Sequence, residues 1–486
     1  MQKVGLTKKK KLGYAFGILT ESLIYNMYYT YFLTFLVQVV RIKPDIAGMV
    51  IFVSIAWDAI TDPILGYICD KPGTDKRRLM IKSLLPLALC FMLAWSTLGN
   101  SLFGDSQALK MVFYTLVSMM IWLFYTMYTI PYYAVVAELT EDYDERTEIR
   151  STASLINAAG IGMGNILPAI VGGAITYFVV SGIISVLAVL FGLVCVISLK
   201  GVYTVRALKS APVQAKRLGS AGDTVRSYAE ILKLPPVKYF LLFVFFFLAG
   251  SSMLQSNLSY MVVNCIGFDY GTGIAVVIAV LVVSMAVTVP LVSKISEKTD
   301  RRTACLIFIS IAAAAMVLMK IVGLDSEIVG FRFMIVVAPF ILGLGLSTFW
   351  TVFYAMSYDI VELDEFVNSK NGERRESIVT ALPQLMQKLG SGVGIMLQGF
   401  VLGFYGYNTA SETGGDAALF VRPSDYIVSG MENVSTVIPA ALIGIGLVFL
   451  VLYPMTRGNY NLLLKKLEEK REGKPIDTGE LSKLVK

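Results

Sequence analysis

Histidine is absent from this chain of 486 residues, and charged side chains make up only 16% of it. The first absence removes the one side chain whose ordinary pKa puts its charge change between pH 5 and 8, so proton or cation chemistry falls to carboxylates. The second excludes an ordinary soluble domain, in which about 25% of residues are charged. Cysteine is sparse too: Cys69, Cys90, Cys195, Cys265 and Cys305 are scattered through apolar stretches with no C-x-x-C pair, which argues against a zinc site or a disulfide framework. The sequence holds no nucleophile beside a base and no metal-ligand cluster, so an enzyme is not expected. Gly160-Ile161-Gly162-Met163-Gly164 lacks the G-x-G-x-x-G spacing and follows no strand. It reads as close helix packing, and no cofactor is expected.

What the chain has in quantity is apolar sequence, 56% hydrophobic with a mean hydropathy of +0.67. The blocks Ile46 to Cys69, Phe178 to Leu199 and Val437 to Pro454 are each long enough for a helix crossing a hydrocarbon core of about 30 Å. The alternation of a membrane barrel is missing. Apolar segments at 14–39, 46–69, 79–99, 108–138, 150–176, 178–199, 238–264, 270–295, 303–323, 330–361, 376–405 and 434–455 predict an all-α membrane protein of twelve transmembrane helices. The first segment follows the basic run Lys8 to Lys11. It is too long for a signal-peptide core and lacks a small-residue cleavage site, so it reads as a retained helix.

The polar stretch 200–237 is expected to be a central cytoplasmic linker between a six-helix half at 1–199 and another at 238–456, followed by a tail at 457–486. Lysine and arginine gather at the amino terminus, at Lys71 to Arg78, in the linker, at Lys298 to Arg302, at Lys370 to Arg375 and in the tail. These all fall on one side of the bundle, which places both termini in the cytoplasm of a multi-pass protein of the cell membrane. The net charge of +7 is then a feature facing the lipid bilayer, with no nucleic-acid partner required. The tail is expected to be too short for a signalling domain, which argues against a receptor. Thr74-Asp75-Lys76-Arg77-Arg78 recurs as Lys298-Thr299-Asp300-Arg301-Arg302, and Asp144-Glu145-Arg146-Thr147-Glu148 as Gly372-Glu373-Arg374-Arg375-Glu376, both about 225 residues on. That is the parallel repeat of a major-facilitator bundle.

The second segment contains Ala56-Trp57-Asp58-Ala59-Ile60-Thr61-Asp62-Pro63. Asp58 and Asp62 are four residues apart and so project from one face. An ionised aspartate at the helix centre costs about 2.5 to 3.5 kcal/mol, and a second one a turn away adds repulsion. A bound cation, Na+ or H+, resolves both, with hydroxyls available from Thr61 and from Thr126 of the fourth segment. The alternative is that one aspartate pairs with a basic residue or sits at the interface. Lys388, inside the eleventh segment beside Gln384 and Gln387, needs a carboxylate or a substrate oxygen; the alternative is a structural ion pair. Glu21 and Ser22 are weaker candidates, because a residue two turns into a helix can snorkel. Tyr25, Tyr28, Tyr29, Trp57, Tyr125, Tyr132, Tyr133, Trp350 and Tyr354 offer a ring and a polar tip suited to a sugar face; core packing or the interfacial belt is the alternative for each, and Trp350 and Tyr133 stand out as exceptions.

Trp57-Asp58-Ala59-Ile60-Thr61-Asp62-Pro63-Ile64-Leu65-Gly66, continued by Asp70 and a basic loop, resembles the glycoside-pentoside-hexuronide:cation symporter family of the major facilitator superfamily. Supporting stretches are Ile130-Pro131-Tyr132-Tyr133, Asp142-Tyr143-Asp144-Glu145-Arg146, Tyr358-Asp359-Ile360-Val361-Glu362 and Arg375-Glu376-Ser377-Ile378 leading to Lys388. The resemblance implies a sodium site at Asp58, Thr61, Asp62 and Thr126, and a cytoplasmic gate that includes Asp70, Arg146, Asp359 and Glu362. It also implies substrate contacts at Ser22, Thr129, Tyr133, Trp350 and Lys388, to which the reading of the residues themselves adds Glu21, Tyr25 and Gln384. The pocket departs from the melibiose-type pattern. Its two aspartates appear as Ser22 and Thr129, its stacking tryptophan as Tyr133, and an arginine as Ser154. The expectation is a monomeric, cation-coupled symporter of a sugar or glycoside working by alternating access. The alternative is the same fold carrying a lysolipid or a small organic anion.

Overall fold

The computed structural model describes residues 7–70, 74–139, 143–170, 174–200, 228–327, 330, 332–368, 376–407, 423–472, 481 and 484. Among these, every regular element is helical. In chain order they are α1 (Lys8–Phe16), α2 (Ile18–Gln38), α3 (Pro44–Asp70), α4 (Lys76–Ala94), α5 (Leu98–Phe103), α6 (Gln107–Leu139), α7 (Tyr143–Ile170), α8 (Ala174–Ser198), α9 (Pro235–Ser256), α10 (Leu258–Tyr260), a π-helix (Met261–Ile266), α11 (Tyr270–Lys298), α12 (Arg301–Val322), α13 (Met334–Asn368), α14 (Glu376–Phe404), α15 (Asp425–Ser435), α16 (Val437–Leu452) and α17 (Arg457–Arg471). Among the described residues eight stretches, within α3, α6, α8, α9, α11, α12, α13 and α15 with α16, are long and apolar enough to cross a membrane. The expected segments in α2, α4, α7 and α14 fall outside that set, since they carry tyrosines, amides or charges in place of part of the apolar run.

The helices group into two compact units, one of residues 1–216 with 255–278 and 395–430, the other of residues 217–254, 279–394 and 431–486. In the first unit α2 is buried on every side except at Glu21, Tyr25 and Gln38, the pattern of a helix at the centre of a bundle. α1 and α2 are one apolar segment in sequence but break at Gly17. A Cβ there would stand 2.7 Å from both Cys195 Sγ and the Tyr132 ring, so only glycine allows the approach. The expected seventh segment is broken as well. α9 stops at Ser256, and the chain continues through α10 into the π-helix, which ends at Gly267 with φ 77°, a conformation that suits a residue without a Cβ.

In the second unit Phe240, Phe243, Phe247, Phe349 and Phe353 form the centre of the core. The expected tenth segment was to end near Glu362, but α13 runs on to Asn368. The added turns are possible because α17 lies along them. Arg471 grips the buried Glu365 with contacts of 2.7 to 2.9 Å, and Lys470 Nζ donates to the carbonyls of Glu365 and Phe366 at 3.3 and 2.6 Å. Burial lowers the Lys470 ammonium below its ordinary range, with Glu365 opposing the shift.

Candidate functional site

α3 and α6 each present a polar stripe at four-residue spacing inside an apolar helix, Ser54, Asp58 and Asp62 on one and Ser118, Trp122 and Thr126 on the other. Residues so spaced share a face. The stripes meet where Thr126 Oγ1 lies 2.7 Å from Asp58 Oδ1 and 3.0 Å from Asp62 Oδ1. Asp58, Thr61 and Thr126 are buried and Asp62 is half-buried. Thr61 gives its hydroxyl to the Asp58 backbone carbonyl at 3.1 Å, which leaves its lone pairs as its contribution to a ligand. Proline follows on both helices, Pro63 in α3 and Pro131 in α6. Neither ring has an N–H to give the carbonyl four residues back, so the backbone near the site is richer in acceptors than in donors.

The arrangement has a definite chemical requirement. A threonine hydroxyl carries one hydrogen, so it donates to only one of the two carboxylate oxygens at a time. The other contact becomes favourable when a proton or a cation sits among the oxygens. Two full charges about 4 Å apart repel by about 4 kcal/mol at an effective dielectric of about 20. One hydrogen bond to a charged group returns only about 1.5 to 3 kcal/mol.

Next to this pair the structure gathers the substrate residues expected on α2 and α6. Tyr133 Oη donates to Glu21 Oε2 at 2.6 Å. Tyr25, one turn from Glu21, stacks on Tyr29 with ring centroids 4.2 Å apart. Thr129 is buried between Thr126 and Tyr133 on α6. Ser22 belongs to a chain of donors that sequence reasoning missed. Gln255 Nε2 donates to Thr30 Oγ1 at 3.2 Å, Thr30 to Asn165 Oδ1 at 2.6 Å, Asn165 Nδ2 to Asn26 Oδ1 at 3.2 Å, and Asn26 Nδ2 to Ser22 Oγ at 3.3 Å. The signal available in sequence was an amide at the centre of each of two apolar helices, Asn26 and Asn165. Their separation of 139 residues hid the pairing.

Trp350, Gln384, Lys388, Asp359 and Glu362 lie in the second unit. Trp350 packs edge-on against Phe349 and Phe353 at 5.3 and 5.9 Å. Lys388 is half-buried on α14 and Gln384 is exposed one turn before it. Of the expected gate residues, Asp359 is salt-bridged to Arg301. Glu362 faces Tyr460, whose hydroxyl is raised above its ordinary range by burial and then by that carboxylate. The side chains of Asp70 and Arg146 lie outside the described residues.

Five likenesses bear on this geometry. The family model described as MFS/sugar transport protein matches residues 13–457. The sodium-dependent lysophosphatidylcholine symporter 1-A of Danio rerio is 24% identical over 90% of this chain and 85% of its own length. YagG of Escherichia coli (strain K12), whose name proposes a glycoside/cation symporter, is 23% identical over 96% of each. Among solved structures, a bacterial homologue of the human lysosomal transporter Spinster superposes with a TM-score of 0.65 at 14% identity, covering 95% of this chain and 99% of that one. The nucleoside transporter NupG does so with a TM-score of 0.62 at 13% identity, covering 92% and 100%.

Proposed function

This chain belongs to the MFS/sugar transport protein family, and from that premise we propose that it is a secondary symporter coupling Na+ to the uptake of a solute by alternating access. It is an integral membrane transporter of a small-molecule substrate and not an enzyme. In this reading the chain crosses the cell membrane twelve times in two six-helix halves, keeps both termini in the cytoplasm and works as a monomer. The basic loops on one side support that topology.

The convergence of two carboxylates of α3 on one threonine hydroxyl of α6 carries the cation part. Na+ among these oxygens neutralises the pair and lets the site close. A proton on either aspartate does the same electrostatically and is the second choice of ion. One positive charge moving through 100 mV supplies about 2.3 kcal/mol, close to two decades of accumulation at about 1.4 kcal/mol each.

The cargo favoured first is a sugar or glycoside, with Ser22, Glu21, Tyr25, Thr129, Tyr133, Trp350, Gln384 and Lys388 as the residues expected to contact it. A lysolipid or other non-sugar solute is the second reading. It is favoured by relatives named as sodium-dependent lysophosphatidylcholine symporters that match most of the chain, and by serine and threonine at Ser22 and Thr129 where the melibiose-type pocket has aspartates. Uptake into proteoliposomes, with and without a sodium gradient, is the test, using a panel of glycosides beside lysophosphatidylcholine. Accumulation that needs sodium and is lost in Asp58→Asn supports the ion's seat. Accumulation that follows a pH gradient instead moves the reading to the proton, and the accepted cargo decides between the two solutes.

A further inference from the structure

One turn from the carboxylate pair, toward the ends at which α3 and α6 begin, lies a second cluster whose polar atoms carry no charge. Ser54 stands four residues before Asp58, and Trp122 four before Thr126, with Ser118 a further turn back. Tyr28 of α2 closes the group, its ring 5.0 Å from Trp122 in an edge-on arrangement. The Tyr28 hydroxyl is within polar reach of Ser118, Trp122 and Ser54, and within the field of Asp58. Yet among the described residues Tyr28 Oη, Ser118 Oγ and Trp122 Nε1 are all buried without a well-formed hydrogen bond. Ser54 Oγ spends its hydrogen on the Val50 carbonyl at 2.6 Å, which leaves two lone pairs. These four residues are at most 2% exposed.

Three misaligned polar groups in one dry spot are costly, at about 1 to 3 kcal/mol each. Packing alone does not explain why they were brought together. The inventory fits one small ligand. The Trp122 N–H and the Tyr28 O–H supply two donors, while Ser54 and Ser118 supply acceptors. A water molecule at their centre accepts two hydrogen bonds and donates two, the coordination typical of buried structural water. We propose that Tyr28, Ser54, Ser118 and Trp122 form a neutral hydration pocket holding water beside Asp58, where the coupling ion exchanges hydration water for side-chain oxygens before reaching the carboxylates. The hydration pocket stands on its own geometry. Its entry role rests on the reading that Asp58 and Asp62 seat the ion, and the two parts fail separately.

Hydroxyl-radical labelling of the intact wild-type protein, read by mass spectrometry, tests the pocket. The control is Tyr31, equally buried but with its hydroxyl bonded to the Asn165 carbonyl. Tyr28 and Trp122 are expected to be oxidised several-fold faster than Tyr31, because radicals form from water held against them. Equal rates would overturn the pocket. The entry role is read by stopped-flow sodium binding to Ser118→Val and to the milder Ser54→Ala. Both association and dissociation are expected to slow, by about tenfold for Ser118→Val, the equivalent of one lost hydrogen bond to the departing hydration water, with equilibrium affinity nearly kept. Unchanged rates would overturn the role, as would an affinity loss made up of faster dissociation alone. Retained sodium-driven accumulation in Asp58→Asn removes the seat and with it the entry role, while leaving the labelling contrast intact.

Discussion

α3 in the first unit and α13 in the second both bury carboxylates in long apolar helices, and the groups seen against those carboxylates differ. On α13, Asp359 is held by Arg301 and Glu365 by Arg471. Each anion has a fixed cation within bonding distance, and the positive partners come from α12 and α17. On α3, Asp58 and Asp62 both reach one hydroxyl, that of Thr126. A guanidinium is covalently attached and satisfies a carboxylate permanently, which makes a clamp. A hydroxyl leaves room for a charge that comes and goes, as the proposed ion seat requires. The difference teaches that buried acidity is no marker of function until its neutraliser is identified.

The comparison predicts separable effects, the largest at the aspartates. Asp58→Asn and Asp62→Asn are expected to abolish sodium-driven accumulation, a loss of nearly two decades at 100 mV, in proteoliposomes at matched protein density. Near-normal gradients in both would put α3 in the same structural class as α13. Next comes Thr126→Val, which keeps the shape and removes the hydroxyl. Sodium affinity should fall by about thirtyfold, or about 2 kcal/mol for one bond to a charged group, and Thr126→Ser should restore most of it in a tryptophan-quench titration. Arg471→Gln should act on stability alone. It strands the buried Glu365, at a cost of about 1 to 2 kcal/mol once the half-exposed arginine is discounted for solvent, seen as a lower Tm in detergent with sodium affinity unchanged. A drop in affinity there would mean that the clamp also feeds the ion site. The smallest effect is expected of Gly17→Ala, overpacked against Cys195 and Tyr132, at about 1 kcal/mol. It should lower Tm and leave the cation titration where it was, which separates damage to the first unit's packing from damage to its seat.

Much of the candidate site was legible because helical spacing is a local property. Asp58 and Asp62 share a face wherever the helix goes, and Thr126 suggested itself as a hydroxyl on a neighbouring apolar segment. The pocket of Tyr28, Ser54, Ser118 and Trp122 was not legible, since serine and tryptophan in apolar helices are individually unremarked and only three-helix packing sets them together. The breaks at Gly17 and Ser256 were hidden for a similar reason. Hydropathy continues smoothly through both, while a close approach of Cys195 and Tyr132 decides the first. The end of α13 was set too early because its last turns carry acids, and the arginine that stabilises Glu365 lies 106 residues further on.

From the sequence alone came the helical class, the need for lipid, the family likeness and the acid pair, because composition and a 3.6-residue period act over short range and need no partner. Tertiary structure alone decided which hydroxyl faces both aspartates, which carboxylates receive arginines and where uncharged polar atoms collect. Those depend on contacts between helices far apart in the chain, where a hydrogen bond forms or fails within a few tenths of an ångström.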